Sequence, residues 1–150
     1  MNKIFYLVCT SVVVFSISVC AQDKEKESAI KLVKNAVKYV SEQGVAKAIE
    51  ELNKANGQFV AGSLNVFAYD TNGIMVAHPK NPKLIGMNLL DVPDADGKLF
   101  RKEIIEIAKK RGSGWVDYKY KNPSTAVIES KTTYIQKAGA LVLCCGIYKK

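Results

Sequence analysis

The sequence predicts an α+β fold, an antiparallel sheet packed by helices on one side. Three observations carry it: helical spacing of apolar residues over 23–56 and 98–111, a hairpin pattern around Asp70-Thr71-Asn72-Gly73, and alternating or wholly apolar runs near the C-terminus. The 150 residues correspond to one domain.

Residues 1–21 have the layout of an export signal. Lys3 is the basic start, residues 4–19 are mostly apolar, and Val19-Cys20-Ala21 ends on a small residue, which predicts cleavage after Ala21. Two other readings stay open. Cys20 is a candidate lipidated first residue, although Val19 stands where lipoprotein signals usually carry Gly, Ala or Ser. Retention as an anchor is the second, although Ser11, Ser16 and Ser18 make the run a poor span. Export places the mature chain, residues 22–150, in the periplasm or outside the cell.

Ile30, Val33, Val37 and Val40 form a helical stripe, which resumes at Val45, Ala48, Ile49 and Leu52 after Gly44. One broken helix or two helices fit equally, and Gly57 ends the pattern. Residues 64–69 and 74–77 are the first two strands, joined through Gly73, which suits the positive φ of a tight turn. His78, the only histidine, and Pro79 close the second strand.

Residues 80–97 are rich in Pro and Gly yet carry Leu84, Ile85, Met87, Leu89 and Leu90, so the loop is expected to pack as a lid or pocket wall. Asp96 is expected to cap a helix over 98–111, with Phe100, Ile104, Ile107 and Ala108 facing inward and Gly112 ending it. Strands are predicted over 114–121, 126–136 and 141–148, the last apolar enough to be buried on both faces. The total is five strands.

The formal charge is +8, or one less without Lys3, and the lysines are dispersed rather than clustered. That argues against a nucleic-acid surface and leaves small anions as partners. After export only Cys144 and Cys145 remain; neighbours on a strand point opposite ways, so both are read as small buried apolar residues. No Ser-His-Asp set, metal cluster or phosphate-binding glycine loop is recognisable, so the chain reads as a binding module without a cofactor rather than an enzyme.

The order of several short motifs resembles a known family. They are Phe67-Ala68-Tyr69-Asp70-Thr71-Asn72-Gly73, Ala77-His78-Pro79-Lys80-Asn81-Pro82, Leu84-Ile85-Gly86-Met87-Asn88-Leu89, Asp94-Ala95-Asp96-Gly97-Lys98, Gly114-Trp115-Val116-Asp117-Tyr118, Lys119-Tyr120-Lys121-Asn122-Pro123, Lys131-Thr132-Thr133-Tyr134 and Gly146-Ile147-Tyr148. Over residues 29–148 they resemble the single Cache domain, the PAS-like extracellular sensor module of bacterial chemoreceptors and sensor kinases. The resemblance implies a five-stranded antiparallel sheet with a long N-terminal helix on one face and a small-ligand pocket on the other. It implies a short carboxylate such as acetate, propionate, lactate or pyruvate as ligand. Two departures stand out: Ala138-Gly139-Ala140-Leu141 replaces aromatic residues before the last strand, and Cys144-Cys145 replaces small residues. The chain ends at Lys150 soon after the last strand, which implies a sensor domain without its own output. The alternative is an interaction protein that docks on a membrane receptor or sensor kinase without a ligand.

A carboxylate in a dry pocket needs a cation and hydroxyl or amide donors. Lys131, mid-strand, is the candidate counter-charge. Tyr118 and Tyr120 share a strand face and offer rings and hydroxyls. Trp115, on the other parity from Tyr118, either walls the pocket or packs on a helix. Tyr134 is a further candidate, although three residues from Lys131 it should face the opposite way. Phe67, which shares a face with Tyr69, and His78, whose ordinary pKa would make binding vary with pH, complete the set. Asp94 and Asp96 read as helix caps rather than as a metal or acid–base pair.

Overall fold

A computed structural model describes residues 14–149 of the chain. Most of the predicted export segment, residues 1–13, lies outside them. The first helix, α1 (Val14–Gln43), runs past Ala21 without a break. No described helix is long and apolar enough to cross a membrane.

Gly44, at φ 83°, ends α1 and starts α2 (Val45–Leu52), so the chain takes the two-helix option. That positive φ is open to glycine and strained for other residues. Ala29, Val33, Ala36 and Val40 of α1 are buried, with Ala48 and Leu52 of α2.

The strands are β1 (Val60–Ala61), β2 (Leu64–Asp70), β3 (Met75–Ala77), β4 (Ser113–Lys121), β5 (Ile128–Ala138) and β6 (Leu141–Tyr148). Five were expected. The sixth, β1, is two residues long and carries no periodicity to read. The sheet is antiparallel, ordered β1-β2-β6-β5-β4, with β3 also paired to β2. The apolar β6 is central and buried on both faces, as its composition implies. Ala126 takes φ 59°, which delays β5 to Ile128.

Strand parity then separates two cores. Leu64, Val66, Ala68, Leu143, Cys145 and Ile147 pack under α1 and α2. Phe67, Tyr69, Val116, Tyr118, Val142 and Cys144 face the other way, toward the helix α3 (Phe100–Arg111). The helices are therefore not all on one side: α1 and α2 cover one face and part of the other lies under α3. Cys144 and Cys145 are both free and buried, one in each core.

Two devices fix the loops around the second face. In the β2–β3 turn, Asp70 Oδ1 accepts from Asn72 N–H at 2.9 Å and Ile74 N–H at 2.8 Å, with Gly73 at φ 84°. A Cβ on Gly73 would also meet Leu90 at 2.5 Å, so the loop over 80–97 packs directly on that turn. Asp94 is the second device. Its Oδ1 accepts from Asp96 N–H at 3.0 Å and Lys98 N–H at 2.8 Å, and its Oδ2 from Lys119 N–H at 2.8 Å. Lys98 Nζ donates to the Asp117 carbonyl at 2.6 Å. These contacts tie the loop to β4, an edge strand in need of such cover.

Capping by Asp94 or Asp96 is thus a correction: α3 starts at Phe100, its N-cap is Leu99, and no side chain caps it. Replacing Asp94 by Ala leaves three backbone donors to water, a cost of about 2 kcal/mol. Denaturant unfolding should show that loss, and hydrogen exchange should quicken at Lys98 and Lys119; unchanged exchange at Lys119 would contradict the tie.

Candidate functional site

The second face holds a small cavity between the sheet, α3 and the loop. Phe67 and Tyr69 enter from β2, Met75 from β3, Tyr118 and Tyr120 from β4, and Lys131 from β5. His78 and Leu84 close it from the loop side, and Phe100 and Arg101 from the start of α3. Its free volume is about 20 Å³, room for one water.

Lys131 reaches the cavity because β6 has no side chain beside it. A Cβ on Gly146 would collide with Lys131 Cε and lie 2.7 Å from Thr133 Oγ1. The amine rests 5.2 Å from the Tyr120 ring centre and 4.8 Å from that of Tyr148. No hydrogen bond or carboxylate partner serves it among the described residues. Burial pushes its pKa down to about 8.

Arg101 is the second cation, and it is only 6% exposed. Its Nη1 donates to the Val92 carbonyl at 3.2 Å, and its guanidinium carbon lies 4.2 Å over the Phe100 ring. Its Nε has no partner. No acidic side chain lines the cavity.

His78 stacks on Phe67 with ring centres 5.3 Å apart. Its backbone N–H donates to Asn53 Oδ1 at 3.0 Å, and its Nδ1 accepts from Asn81 N–H at 3.0 Å. An accepting Nδ1 puts the proton of the neutral ring on Nε2. Burial first, and the Lys131 charge second, push its pKa down to about 4. His78 is therefore neutral from pH 5 to 8, and the pH sensitivity expected of it passes to Lys131. The Tyr118 and Thr133 hydroxyls share a hydrogen bond of 2.9 Å, and Tyr118 stacks on Phe100 at 3.9 Å. Burial pushes the Tyr69 and Tyr118 hydroxyls up, so both remain protonated.

Five candidates from the sequence thus converge: Phe67, His78, Tyr118, Tyr120 and Lys131. Trp115 and Tyr134 do not. They pair directly across β4 and β5, with rings 5.3 Å apart, on the face under α1. Parity explains both, since each lies an odd number of residues from a cavity residue on its own strand. Arg101 was missed. The buried stripe of α3 is Phe100, Arg101, Ile104, Ile105 and Ala108, so a cation three and four residues before two isoleucines was the available signal.

A larger hollow of about 190 Å³ adjoins the cavity through Tyr118 and Lys131. Most of its other charges have partners: Lys149 with Asp117 at 2.8 Å, Lys98 with Glu103 at 2.7 Å, Lys119 with Ser130 Oγ at 2.8 Å, and Asp94 with backbone N–H groups. Among the described residues no group of three His, Cys, Asp or Glu is placed to hold a metal ion.

A family model described as Cache domain matches residues 22–148. The chain belongs to the Cache domain family. Among solved structures, a methyl-accepting chemotaxis protein from Vibrio parahaemolyticus is 26% identical, with a TM-score of 0.71 over 89% of this chain and 92% of that one. A periplasmic sensor domain of a chemotaxis protein is 25% identical, with a TM-score of 0.67 over 93% of this chain and all of that one. A Cache chemosensory domain solved for its carboxylic acid recognition shares the fold at 22% identity, TM-score 0.70, over 87% of this chain and 97% of that one. Two curated relatives match about half of the chain. They are the methyl-accepting chemotaxis protein McpP of Pseudomonas putida, 33% identical over 76 residues, and the sensor histidine kinase MctS of Rhizobium johnstonii, 38% identical over 69. The matched stretch covers 49% of this chain and 14% of the first protein, and 46% of this chain and 15% of the second. The chain is thus related to sensor domains of chemoreceptors and kinases.

Gly146→Ala should expel the lysine amine from its trough. The Lys131 pKa, followed by NMR of labelled lysine, should start near 8 and rise toward the ordinary value of about 10.4 in the variant. An unchanged titration would show that Gly146 does not set the lysine's position.

Proposed function

We propose that this Cache domain is the ligand-recognition unit of a sensor and binds a short-chain carboxylate in the cavity on its second face. One observation carries the reading: two cations, Lys131 and Arg101, face an aromatic cavity that contains no acidic side chain. A buried charge without a partner is costly, and an anion that enters removes the cost. Tyr118, Tyr120 and the His78 Nε2–H are the donors that would complete a carboxylate's shell, with Phe67 as an apolar wall. Carboxylic acid recognition by the related chemosensory domain supports the same chemistry.

We place the mature chain in the periplasm or outside the cell, after cleavage following Ala21 or lipidation of Cys20. Mass spectrometry of the mature N-terminus separates the two from a retained anchor.

One observation favours a second reading. Room for a single water means that the cavity must widen for any carboxylate, and a permanently closed one fits an interaction protein that docks on a membrane receptor or kinase. Thermal unfolding against a panel of acetate, propionate, lactate and pyruvate decides between them. A binder raises the melting temperature with ligand concentration. Lys131→Met should abolish the rise; a panel with no effect on the unaltered protein favours the docking reading.

The pH dependence has a fixed sign. The free Lys131 amine loses its proton above pH 8, and a carboxylate prefers the protonated form. Affinity should therefore be level below about pH 8 and fall as the pH rises above it. In Lys131→Met any residual binding should lack that fall.

A further inference from the structure

We propose that Lys131 is a site of reversible carbamylation: carbon dioxide adds to its amine, and the lysine becomes an anion. The proposal concerns the same side chain as the carboxylate reading above and does not depend on it. Lys131 lines both the one-water cavity and the hollow of about 190 Å³ beside it, so a small molecule has room to reach the amine. No hydrogen bond or carboxylate occupies that amine among the described residues. A lysine drawn out of water into such a setting is a nucleophile. An acceptor for it needs donors as well. Thr133 Oγ1 and Lys131 Nζ lie 2.7 and 3.2 Å from the point a Cβ on Gly146 would take, so they are neighbours. The Thr133 hydroxyl, paired with that of Tyr118, can donate to a carbamate oxygen.

In the reaction the lone pair of the neutral amine forms a C–N bond to carbon dioxide. One C=O pair moves onto oxygen, and the nitrogen releases a proton to solvent; nothing is oxidised or reduced. Charge selects this electrophile. The cavity wall holds the cations Lys131 and Arg101 and no acidic side chain. A carbamate exchanges the lysine's positive charge for a negative one, which leaves the wall neutral with no ion brought in. An aldehyde or ketone would form an imine, which supplies no negative charge. Burial also lowers the amine's pKa to about 8, so a fraction is neutral near pH 7. The groups around it leave that proton alone. From β6, Cys145 and Tyr148 are pushed up to about 12 and Cys144 well up. Tyr69 and Tyr118 are raised too, His78 is lowered to about 4, and Tyr120 presents its ring face. In the hollow, Lys98, Lys119 and Lys149 stand against Asp94, Asp96 and Asp117.

Carbon NMR under ¹³C-labelled carbon dioxide tests this on protein carrying ¹⁵N at its lysine side-chain nitrogens. A carbamate carbon split by the adjacent ¹⁵N should appear. At a fixed pressure of carbon dioxide it should grow as the pH rises through about 8. The α-amino group of the chain, whose ordinary pKa is also about 8, gives an unsplit line because its nitrogen is unlabelled. Lys131→Met should remove the split line and keep the unsplit one. No split line in the unaltered protein overturns the proposal, and so does one that survives in Lys131→Met. If that variant does not fold, the midpoint decides: growth centred near about 10.4 assigns the line to exposed lysines and overturns the proposal. The carboxylate panel is run without added carbon dioxide, so the two readings fail separately.

Discussion

The amine of Lys131 sits half-buried in the cavity wall without a counter-charge among the described residues, and the rest of the site follows from that constraint. Its pKa falls from about 10.5 to about 8. At about 1.4 kcal/mol per pKa unit, keeping the charge in place costs on the order of 3 kcal/mol. Strand packing alone does not force this. Lys131 lies on the second face by parity, and Gly146, by lacking a side chain, leaves it a trough to lie in. A protein without use for the charge could turn the amine to solvent, as lysines usually do. Arg101, with its unfilled Nε, repeats the pattern at the start of α3.

The architecture divides its tasks by face. Under α1 and α2 the sheet is covered by small and branched apolar residues, a surface built for stability. Toward α3 the same strands present rings and hydroxyls around two cations. The central strand β6 serves both, with Leu143 and Cys145 on one side and its alternates Cys144 and Gly146 on the other. The loop over 80–97 is bound at two points, at Gly73 through Leu90 and at the β4 edge through Asp94. Leu84, which enters the cavity wall, precedes both ties; it lies between Asn81, whose N–H donates to His78 Nδ1, and Gly86, whose N–H donates to the Met75 carbonyl at 2.8 Å.

Much of the fold was legible because its signals are local. Helical spacing located α1, α2 and α3, Gly44 marked the break, and the apolar run 141–148 named the central strand. The order of the short motifs along the chain is enough to point to the family. Which face a helix covers is not local, and α3 was placed on the wrong side for that reason. Parity correctly warned against Tyr134 and left Trp115 open; register then carried both under α1. Phe100, Ile104 and Ala108 face inward as the spacing implies, but the buried face of α3 is wider on the side of Arg101 and Ile105, where a charged residue does not read as core. The loop carboxylate that accepts bonds is Asp94 rather than Asp96, and one of its three donors, Lys119 N–H, lies 25 residues away on β4, beyond the reach of a local capping pattern.

The central claim is that the ligand's negative charge compensates the Lys131 amine. Calorimetry at pH 9 in buffers of different ionisation enthalpy measures it directly. The free amine is then mostly deprotonated, and a carboxylate beside it should return its pKa toward the ordinary value. Binding should therefore take up a proton, approaching about one per ligand, and Lys131→Met should take up none. Binding at pH 9 with no proton uptake by the unaltered protein would contradict the account.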